Sequence, residues 1–579
     1  MLPMLAHMEF AVASEIAAAE GLTQFAQNPD LPTVESIPEL PDLLPAPPPE
    51  ELTIPPLPPA EELLRPREPP DFEDDEALPD IPGEIVVERF IVEGSTVFDA
   101  EDLAAATAPY TNRPLSFTEL FEVRAAVTQL YQAAGYITSG AYIPVGQVVD
   151  DGTVTIQVIE GGLANINIDG LTRLNPNYVR SRVEIATDPP LNVDRLLDAL
   201  QLLQQDPRIE RLTAELAAGP NVATSRLNLT VIEADPVAVR LFMDNGQSLP
   251  IGSFRRGLSV NHLNLTGQGD AVDVVYSNTA GSNALDVSYQ FPFNARNGTL
   301  EMLYSRGESR VIDENFEILD IRTRSEEWSL GLRQPLYQTP TAELALGLRF
   351  THERSDRTFQ VPGFGRFGFP SLGAQDGETR ISAIRFSQEW HQRGQDYFWG
   401  GRSQFNLGMD WVGATINPEP IPDSEFWSWQ GQAQWVQRVA PETLLIGRVA
   451  GQLTTQDLLS LEQFRLGGLG SVRGYVQDQT LSDNGFFASL EARVPIARIP
   501  EWESTLQLTP FVDYGRAWNA GDRSVRAPDE LLSVGAGLLW QVSDRASLRV
   551  DWGIPLLEPG PSGDSLQESG ILFSISGEL

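Results

Sequence analysis

The feature that most constrains this chain is an alternation of apolar and polar residues that recurs from Val237 to Leu579. A side-chain period of two is the period of a β-strand. In segments such as ASLRVDWGI (residues 546–554), Trp and aliphatic residues share one face and Ser, Arg and Asp the other. This polarity is inverted relative to a soluble barrel and is typical of a barrel whose outer surface meets lipid. No run of eighteen apolar residues occurs, so the sequence predicts no transmembrane helix.

The alternating segments number about sixteen, and bacterial single-chain barrels have an even number of antiparallel strands. We place them at 237–244, 256–263, 270–277, 284–291, 299–305, 326–334, 342–352, 378–389, 399–411, 426–438, 443–454, 484–495, 504–516, 531–542, 545–553 and 570–579. Every second connection is short, whereas the long ones include 306–325, 353–377, 412–425, 455–483 and 555–569. This parity predicts that the first strand rises from the periplasm and that the long loops lie outside the cell. A soluble all-β protein is the alternative.

The composition excludes several classes of function. The chain has no cysteine, which excludes thiol catalysis, disulfides and zinc-thiolate sites. Its 40 basic residues are all arginine, and 80 acidic residues leave a formal net charge of −40, which disfavours nucleic acid as a partner. A chain without lysine cannot supply a GxxxxGK[ST] phosphate loop, and GFGRFG (363–368) is followed by Phe-Pro rather than by a helix. The four histidines show no metal-ligand spacing. We therefore predict no enzymatic activity and no cofactor.

The N-terminal part of the chain divides into two zones. Residues 28–83 are dense in proline and acidic residues, cannot build a core and are predicted to be an extended linker. Within residues 1–27, the stretch SEIAAAEGLTQFA (14–26) has a serine cap and helix-forming alanines, which favours a short helix. A disordered or cleaved terminus is the alternative. The first residues lack a basic region followed by a long apolar stretch, so no signal peptide is predicted.

Residues 84–235 read as two similar α+β modules of roughly 75 residues each, 84–161 and 162–235. In the second, LANINIDGLTRL is a predicted strand, NPNYVRSRVEI and NVDRLLDALQLLQQDP are predicted helices, and ERLTAELAAG and SRLNLTVIEA are predicted strands. The first module has a related order. Such a module leaves one edge of its sheet open for pairing with another strand. The remainder, 236–579, is the predicted barrel.

One cation stands out in the glycine-rich loop 455–483, which carries Arg473 in the sequence RLGGLGSVRGYVQDQ. The alternation of STLQLTPFVDYGRAW turns Phe511 and Asp513 into the barrel lumen, and that of FFASLEARV turns Glu491 and Arg493 inward. A loop this rich in glycine can fold into the barrel, where a guanidinium can pair with a carboxylate through two hydrogen bonds. The alternative is that Arg473 is a solvated loop charge.

Val472-Arg473-Gly474-Tyr475 together with the downstream Phe511-Val512-Asp513, behind two small modules, resembles the two-partner secretion transporters of the TpsB type, in the POTRA plus β-barrel superfamily that includes BamA. The resemblance covers about residues 84–579 and implies an outer-membrane barrel with two periplasmic POTRA domains. It also implies that Arg473 pairs with Asp513 inside the barrel. Residues 14–26 become a candidate plug helix for the pore.

The resemblance implies that the POTRA domains capture a secreted exoprotein, expected to be β-helical, and that this chain passes through the barrel without nucleotide. Other implied partners are outer-membrane lipid and the barrel assembly machinery. The stretch GILFSISGEL lacks the terminal aromatic residue usual in proteobacterial barrels, and the linker is unusually long and acidic. Two alternatives stay open. One is an assembly factor that inserts other barrels, a class that usually carries more POTRA copies, and the other is a diffusive porin.

Overall fold

The computed structural model describes residues 63–66, 84–147, 152–221, 223–521, 523, 525, 528–542, 545–557 and 563–579. The predicted helix at 14–26 and most of the predicted linker lie outside these residues. The division of the chain at residues 28, 84, 162 and 236 stays a prediction. The described chain begins with β1 (Leu64–Pro66), a short strand from the linker.

The first module folds around the central strand β6. Its elements are β2 (Glu84–Val87), β3 (Arg89–Glu93), α1 (Ala100–Thr107), β4 (Arg113–Ser116), α2 (Phe117–Ala133), β5 (Gly140–Tyr142) and β6 (Thr153–Ile159). Strand β6 pairs in parallel with β3 and antiparallel with β5. Helix α2 begins with a capping box in which Ser116 and Glu119 satisfy each other's backbone N–H groups. Its apolar stripe, which includes Val123, Val127 and Tyr131, is buried against the sheet.

The second module repeats the predicted order of strand, two helices and two strands. Its elements are β7 (Gly162–Asp169), α3 (Pro176–Glu184), α4 (Val193–Gln204), β8 (Ile209–Ala218) and β9 (Thr224–Glu233). Strand β9 lies between β7, which is parallel to it, and β8, which is antiparallel to it. Leu196, Leu200 and Leu203 recur along one face of α4 and are buried in the core that the sheet covers.

In each module, a glutamate near the end of the last strand accepts hydrogen bonds from backbone N–H groups of an earlier loop. In the second, Glu233 accepts hydrogen bonds from the backbone N–H groups of Thr172, Arg173 and Leu174 at 2.8 to 2.9 Å. In the first, Glu160 accepts from Thr96 N at 2.6 Å and Val97 N at 3.2 Å. Burial alone would raise the pKa of Glu233, but these donors stabilise the carboxylate and lower its pKa to about 2. The repeated contact shows that the two modules share one local design.

The rest of the chain forms a closed antiparallel barrel, as predicted. Its sixteen full-length strands within the described residues are β10 (Val237–Asp244), β11 (Arg255–Leu263), β12 (Ala271–Asn278), β13 (Ser282–Pro292), β14 (Thr299–Arg310), β15 (Arg322–Gln338), β16 (Ala342–Val361), β18 (Glu378–Arg393), β19 (Tyr397–Met409), β20 (Trp427–Ala440), β21 (Thr443–Leu453), β24 (Asn484–Ile499), β25 (Ser504–Trp518), β26 (Glu530–Val542), β27 (Ala546–Pro555) and β28 (Ile571–Glu578). Short pieces β17 (Gly365–Gly368), β22 (Phe464–Leu466) and β23 (Thr480–Ser482) lie in loops. Pairing of β10 with β28 closes the sheet. Among the described residues, no helix is both long and apolar enough to cross a membrane.

Several strands run further than the alternation indicated. Strand β16 continues to Val361 instead of ending at residue 352, and it pairs with β15 as far as Arg322↔Thr358. Much of the predicted loops 306–325 and 353–377 is therefore strand. These extensions are rich in Arg, Asp, Glu and Ser on both faces, so the backbone ladder persists where the apolar alternation has stopped.

The second module sits against the short turns of the barrel. Asn175 N donates to the carbonyl oxygen of Gly267 at 2.8 Å, and Arg182 Nε donates to Asn297 Oδ1 at 2.9 Å. The Arg182 guanidinium also stacks on Tyr178, with Cζ 3.5 Å from the ring centroid. The end of the barrel that carries the short turns thus faces the modules, in agreement with the predicted orientation.

Candidate functional site

The long loop between β21 and β24 folds back into the barrel. We call residues 454–483 the inward loop. Strands β22 and β23 pair with each other and hold its two halves together. Glu462, at one end of this neck, accepts hydrogen bonds from both terminal nitrogens of Arg385 on β18, at 2.9 and 3.2 Å. The neck carries residues 467–479 into the lumen, where Arg473 is buried against the barrel wall.

Arg473 makes its main contact with Asp513 on β25. Nε donates to Oδ2 at 2.8 Å, Nη2 donates to Oδ1 at 2.9 Å, and the backbone N of Arg473 donates to Oδ2 at 3.1 Å. Ser489 Oγ supplies one more hydrogen bond to Oδ1 at 2.6 Å. Asp513 is 0% exposed and Arg473 1% exposed, so water is excluded from a bidentate, charge-assisted pair. The ring of Phe511 lies 3.5 Å from the guanidinium carbon and adds a cation–π contact.

The pair belongs to a larger set of buried charges. Arg473 Nη1 donates to Glu491 Oε2 at 2.6 Å and lies 3.6 Å from Asp551 Oδ2. Glu491 also accepts from Arg493 Nε at 3.1 Å and from Arg549 Nη2 at 2.6 Å. Arg549 Nε in turn donates to Asp551 Oδ2 at 2.7 Å. We call Arg473, Glu491, Arg493, Asp513, Arg549 and Asp551 the ion-pair cluster. Each of its charges has an opposite partner, which buried charges require.

The other residues of the tetrad Val472–Tyr475 fix the loop by different means. Val472 is fully buried in an apolar cluster with Leu466 and Leu531. Gly474 has φ +92°, and a β-carbon there would lie 2.8 Å from the carbonyl carbon of Gly553 on β27, so only glycine fits this backbone contact. The Tyr475 hydroxyl lies 3.1 and 3.0 Å from the carbonyl oxygens of Leu532 and Leu557, which share its single donated hydrogen. The inward loop is thus held by apolar packing, close backbone approach and hydrogen bonds as well as by charge.

Two glycines on β26 shape the barrel wall under the ion-pair cluster. Strand β26 lies between the strands that carry Asp513 and Asp551. A β-carbon at Gly535 would overlap the Phe511 ring, and one at Gly537 would overlap the Asp551 carboxylate. These two glycines therefore make room for the aromatic platform and for one of the anions.

The structure brings all of the residues singled out in the sequence to one place. Arg473 meets Asp513 and Phe511, and Glu491 and Arg493 belong to the same cluster. Sequence reasoning put Arg549 and Asp551 on the polar face of β27 without connecting them to Arg473, and it missed Ser489, Gly535 and Gly537. The Arg-x-Asp spacing of Arg549 and Asp551 on a lumenal face was the one available signal. Within the part of the chain that the structure describes, no group of three or more His, Asp or Glu residues could hold a metal ion.

Comparison with known proteins agrees with this architecture. A family model described as haemolysin secretion/activation protein ShlB/FhaC/HecB matches residues 223–539, and a POTRA domain model of ShlB type matches residues 85–161. The outer membrane transporter CdiB of Dickeya dadantii (strain 3937) is 23% identical over 406 residues, which cover 68% of this chain and 69% of CdiB. The heme/hemopexin transporter protein HuxB of Haemophilus influenzae (strain 86-028NP) is 22% identical over 480 residues, covering 79% and 80%.

The solved structure of CdiB from Escherichia coli matches with a TM-score of 0.66 at 20% identity, covering 87% of this chain and 92% of that one. This likeness shows the fold. The ShlB/FhaC/HecB model alone spans more than half of the 579 residues. The chain therefore belongs to the ShlB/FhaC/HecB family, the outer-membrane transporters of two-partner secretion, with its POTRA modules in the periplasm.

Proposed function

We propose that the protein translocates one partner exoprotein from the periplasm to the cell surface, and that the ion-pair cluster holds the inward loop in the lumen between transport events. The observation that carries this proposal is the burial of Arg473, a cation of the inward loop, in a site made by β24, β25 and β27. A loop that served only as a solvent-exposed connection would leave its guanidinium in water, whereas Arg473 is 1% exposed. A passing polypeptide needs this space, so the loop must leave it.

The exoprotein crosses as an extended chain after capture at the POTRA modules, where strands with free edges can accept another strand. We propose a β-helical exoprotein, because the coils of such a fold can form one after another as the chain emerges. Folding outside the cell would then draw the chain outward, and no nucleotide would be consumed by this protein.

Reconstitution tests this proposal. The purified full chain is placed in liposomes, and an unfolded candidate exoprotein is added at the POTRA side without nucleotide. The expected result is exoprotein that becomes resistant to external protease inside the liposomes. The matched control is the same chain with a cross-link that fixes the inward loop to the wall, made through Leu469→Cys and Gly246→Cys, since a β-carbon at Gly246 would lie 3.4 Å from the β-carbon of Leu469.

Two results would contradict the proposal. One is protease resistance that is equal in empty liposomes. The other is an exoprotein that stays outside while an added outer-membrane barrel inserts faster into the same liposomes, which would indicate an assembly factor.

A further inference from the structure

The outward face of strands β14 and β15 carries an aromatic pair at the upper edge of the apolar band. Tyr304 and Trp328 face each other across the two strands, with ring centroids 4.3 Å apart. Leu330 and Leu332, which share the face of Trp328 and lie closer to the short turns, are exposed. Aromatic residues collect where a barrel passes from the lipid tails to the headgroups. The aromatic pair therefore marks the level at which the barrel leaves the hydrocarbon of the outer leaflet.

Arginine replaces the apolar residues directly above this aromatic pair. The outward positions of β14, β15, β16 and β18 include six arginines there, which we call the arginine patch: Arg306, Arg310, Arg322, Arg324, Arg354 and Arg380. Their side chains are 38 to 72% exposed. The chain as a whole carries a formal net charge of −40, so this local concentration of arginine does not follow from its average composition.

The row of the patch nearest to the aromatic pair is strongly basic. The ladder pairs Arg306 with Glu326, which is paired in turn with Arg354. Arg354 is paired on its other side with Arg380. Three arginines and one glutamate leave a local excess of two positive charges. Neighbouring strands lie about 4.8 Å apart, so this row covers about 14 Å of the barrel surface on a rigid sheet.

Carboxylates in the next row bind the arginines without occupying all of their donors. Arg306 Nη2 donates to Glu308 Oε1 at 3.2 Å, and Arg306 Nη1 lies 4.0 Å from Glu326 Oε1. Arg324 Nε lies 3.6 Å from Glu308 Oε1. The last two distances are too long for hydrogen bonds. A guanidinium has five N–H donors in one plane, so Arg306 and Arg324 keep donors for an anion from outside the protein.

We propose that the arginine patch binds phosphate groups of glycolipids in the outer leaflet of the membrane. Guanidinium and phosphate form bidentate, charge-assisted hydrogen bonds, and clustered cations at a membrane surface attract anionic headgroups. The acyl chains of such a lipid lie along Leu330 and Leu332, below the patch. This binding does not depend on the proposed export function, because the patch faces the lipid and not the lumen.

Native mass spectrometry of the full chain in detergent tests the proposal without any substitution. The probe is bisphosphorylated lipid A, and the comparison lipid is the same molecule with both phosphates removed. We expect the unmodified chain to bind the phosphorylated form at least about tenfold more tightly, because only this form offers acceptors to the guanidinium groups. Equal binding of the two lipids would overturn the proposal.

A triple substitution places the binding on the patch. Arg306→Gln/Arg324→Gln/Arg354→Gln removes three positive charges, and we expect it to bind bisphosphorylated lipid A at least about tenfold more weakly than the unmodified chain.

A matched control removes the same number of charges near the short turns, at the other end of the barrel. Arg296, Arg438 and Arg498 are exposed there, and their triple substitution by glutamine should leave binding unchanged. Both variants should still resist heat in detergent. Equal binding of lipid A by the two folded variants would refute the assignment to the patch.

Competition distinguishes a glycolipid from other sources of phosphate. Inorganic phosphate lacks acyl chains, and phosphatidylglycerol carries a single phosphate. We therefore expect neither to displace bound lipid A at the concentration at which lipid A saturates the chain. Displacement by inorganic phosphate would indicate a site for the free ion, and displacement by phosphatidylglycerol would indicate a surface for any anionic lipid. Either result would overturn the assignment to a glycolipid.

Discussion

Replacing Arg473 with alanine removes the side chain that joins the inward loop to the barrel wall. Asp513 then loses two of its four hydrogen bonds, those from Nε and Nη2, and keeps the bonds from Ser489 and the backbone N of Arg473. Glu491 loses one of its three arginine partners. Val472 and Tyr475 keep their contacts, so the loop can still occupy its place in the lumen. That state is less stable than in the unmodified chain.

The size of the effect follows from the burial of the partner. Breaking a buried ion pair by removing one member costs about 3 to 5 kcal/mol, because a charge is left without compensation. Water can enter the lumen once the guanidinium is gone, so we expect a value near the lower limit. A loss of about 3 kcal/mol corresponds to an increase of about a hundredfold in the population of the released loop.

Hydrogen exchange of backbone amides in residues 464–483 measures this population in the full chain in detergent, because exchange requires the loop to open. We expect exchange about a hundredfold faster in Arg473→Ala, together with a barrel that still resists heat in detergent. Arg349→Ala is the matched control. It breaks a lumenal pair with Glu301 at 2.8 Å on strands that do not carry the cluster, and it should leave exchange in the loop unchanged.

A double-mutant cycle tests whether the contact with Asp513 is the cause. Asp513→Asn keeps the shape of the side chain and removes its charge. If the two groups interact directly, the double variant costs at least about 1 kcal/mol less than the sum of the single variants. Additive costs, or exchange in Arg473→Ala within twofold of the unmodified chain, would refute the assignment of Arg473 as the main anchor of the loop.

Three further predictions concern other parts of the chain. Gly474→Ala should release the inward loop as Arg473→Ala does while leaving every charge in place, because its β-carbon would strike Gly553 at 2.8 Å; unchanged exchange in residues 464–483 would contradict this. Glu233 contributes stability to the second module fully above pH 4.5 and loses it as the pH falls from 4.5 towards 2, since folding lowers its pKa to about 2. The protection of the amides at residues 172–174, measured relative to the pH-dependent intrinsic exchange rate, should therefore fall in that window and should stay constant there in Glu233→Gln, which costs about 2 kcal/mol. Deletion of residues 14–26 should raise ion conductance across a planar bilayer if they form a plug, and equal conductance would favour a terminus that does not enter the pore.

The barrel was predictable because lipid imposes a rule on every strand that crosses it. One face of each strand must be apolar, so the alternation marks all sixteen strands and their parity sets the orientation. This requirement applies only to the part of a strand that lies within the membrane. Strand β16 extends to Val361 through the polar stretch THERSDRTFQ, where neither face needs to be apolar and only the backbone ladder with β15 defines the strand. The predicted loops were therefore too long.

The site was predictable only where a sequence motif marks it. The tetrad at Val472–Tyr475 and Asp513 identified the family, which the comparisons confirm, and that resemblance implied their pairing. The positions of Arg549 and Asp551 depend on the register between β25, β26 and β27, which places Asp551 opposite Gly537 and Thr509 rather than opposite Asp513. Strand alternation predicts on which face of a strand a side chain lies, but not its position along the barrel axis. Strand β1 was not predictable for a related reason, because a strand of three residues has no periodicity and needs the edge of β8 to exist.

The strength of the contact at Arg473 depends as much on glycine as on charge. In water, two unit charges 4 Å apart attract by only about 1 kcal/mol, and the attraction grows several-fold when water is excluded. Exclusion requires the loop backbone to reach the wall. It does so at Gly474 and Gly553, whose backbones touch, and Gly535 leaves the space in which the Phe511 ring supports the guanidinium. A side chain at any of these positions would hold the loop away from the wall and leave Arg473 and Asp513 as a hydrated pair. Conversely, a small outward displacement of the loop admits water and weakens every ion pair at once. The same packing that makes the seated loop stable therefore makes its release cooperative, as the proposed release of the loop for a passing chain requires.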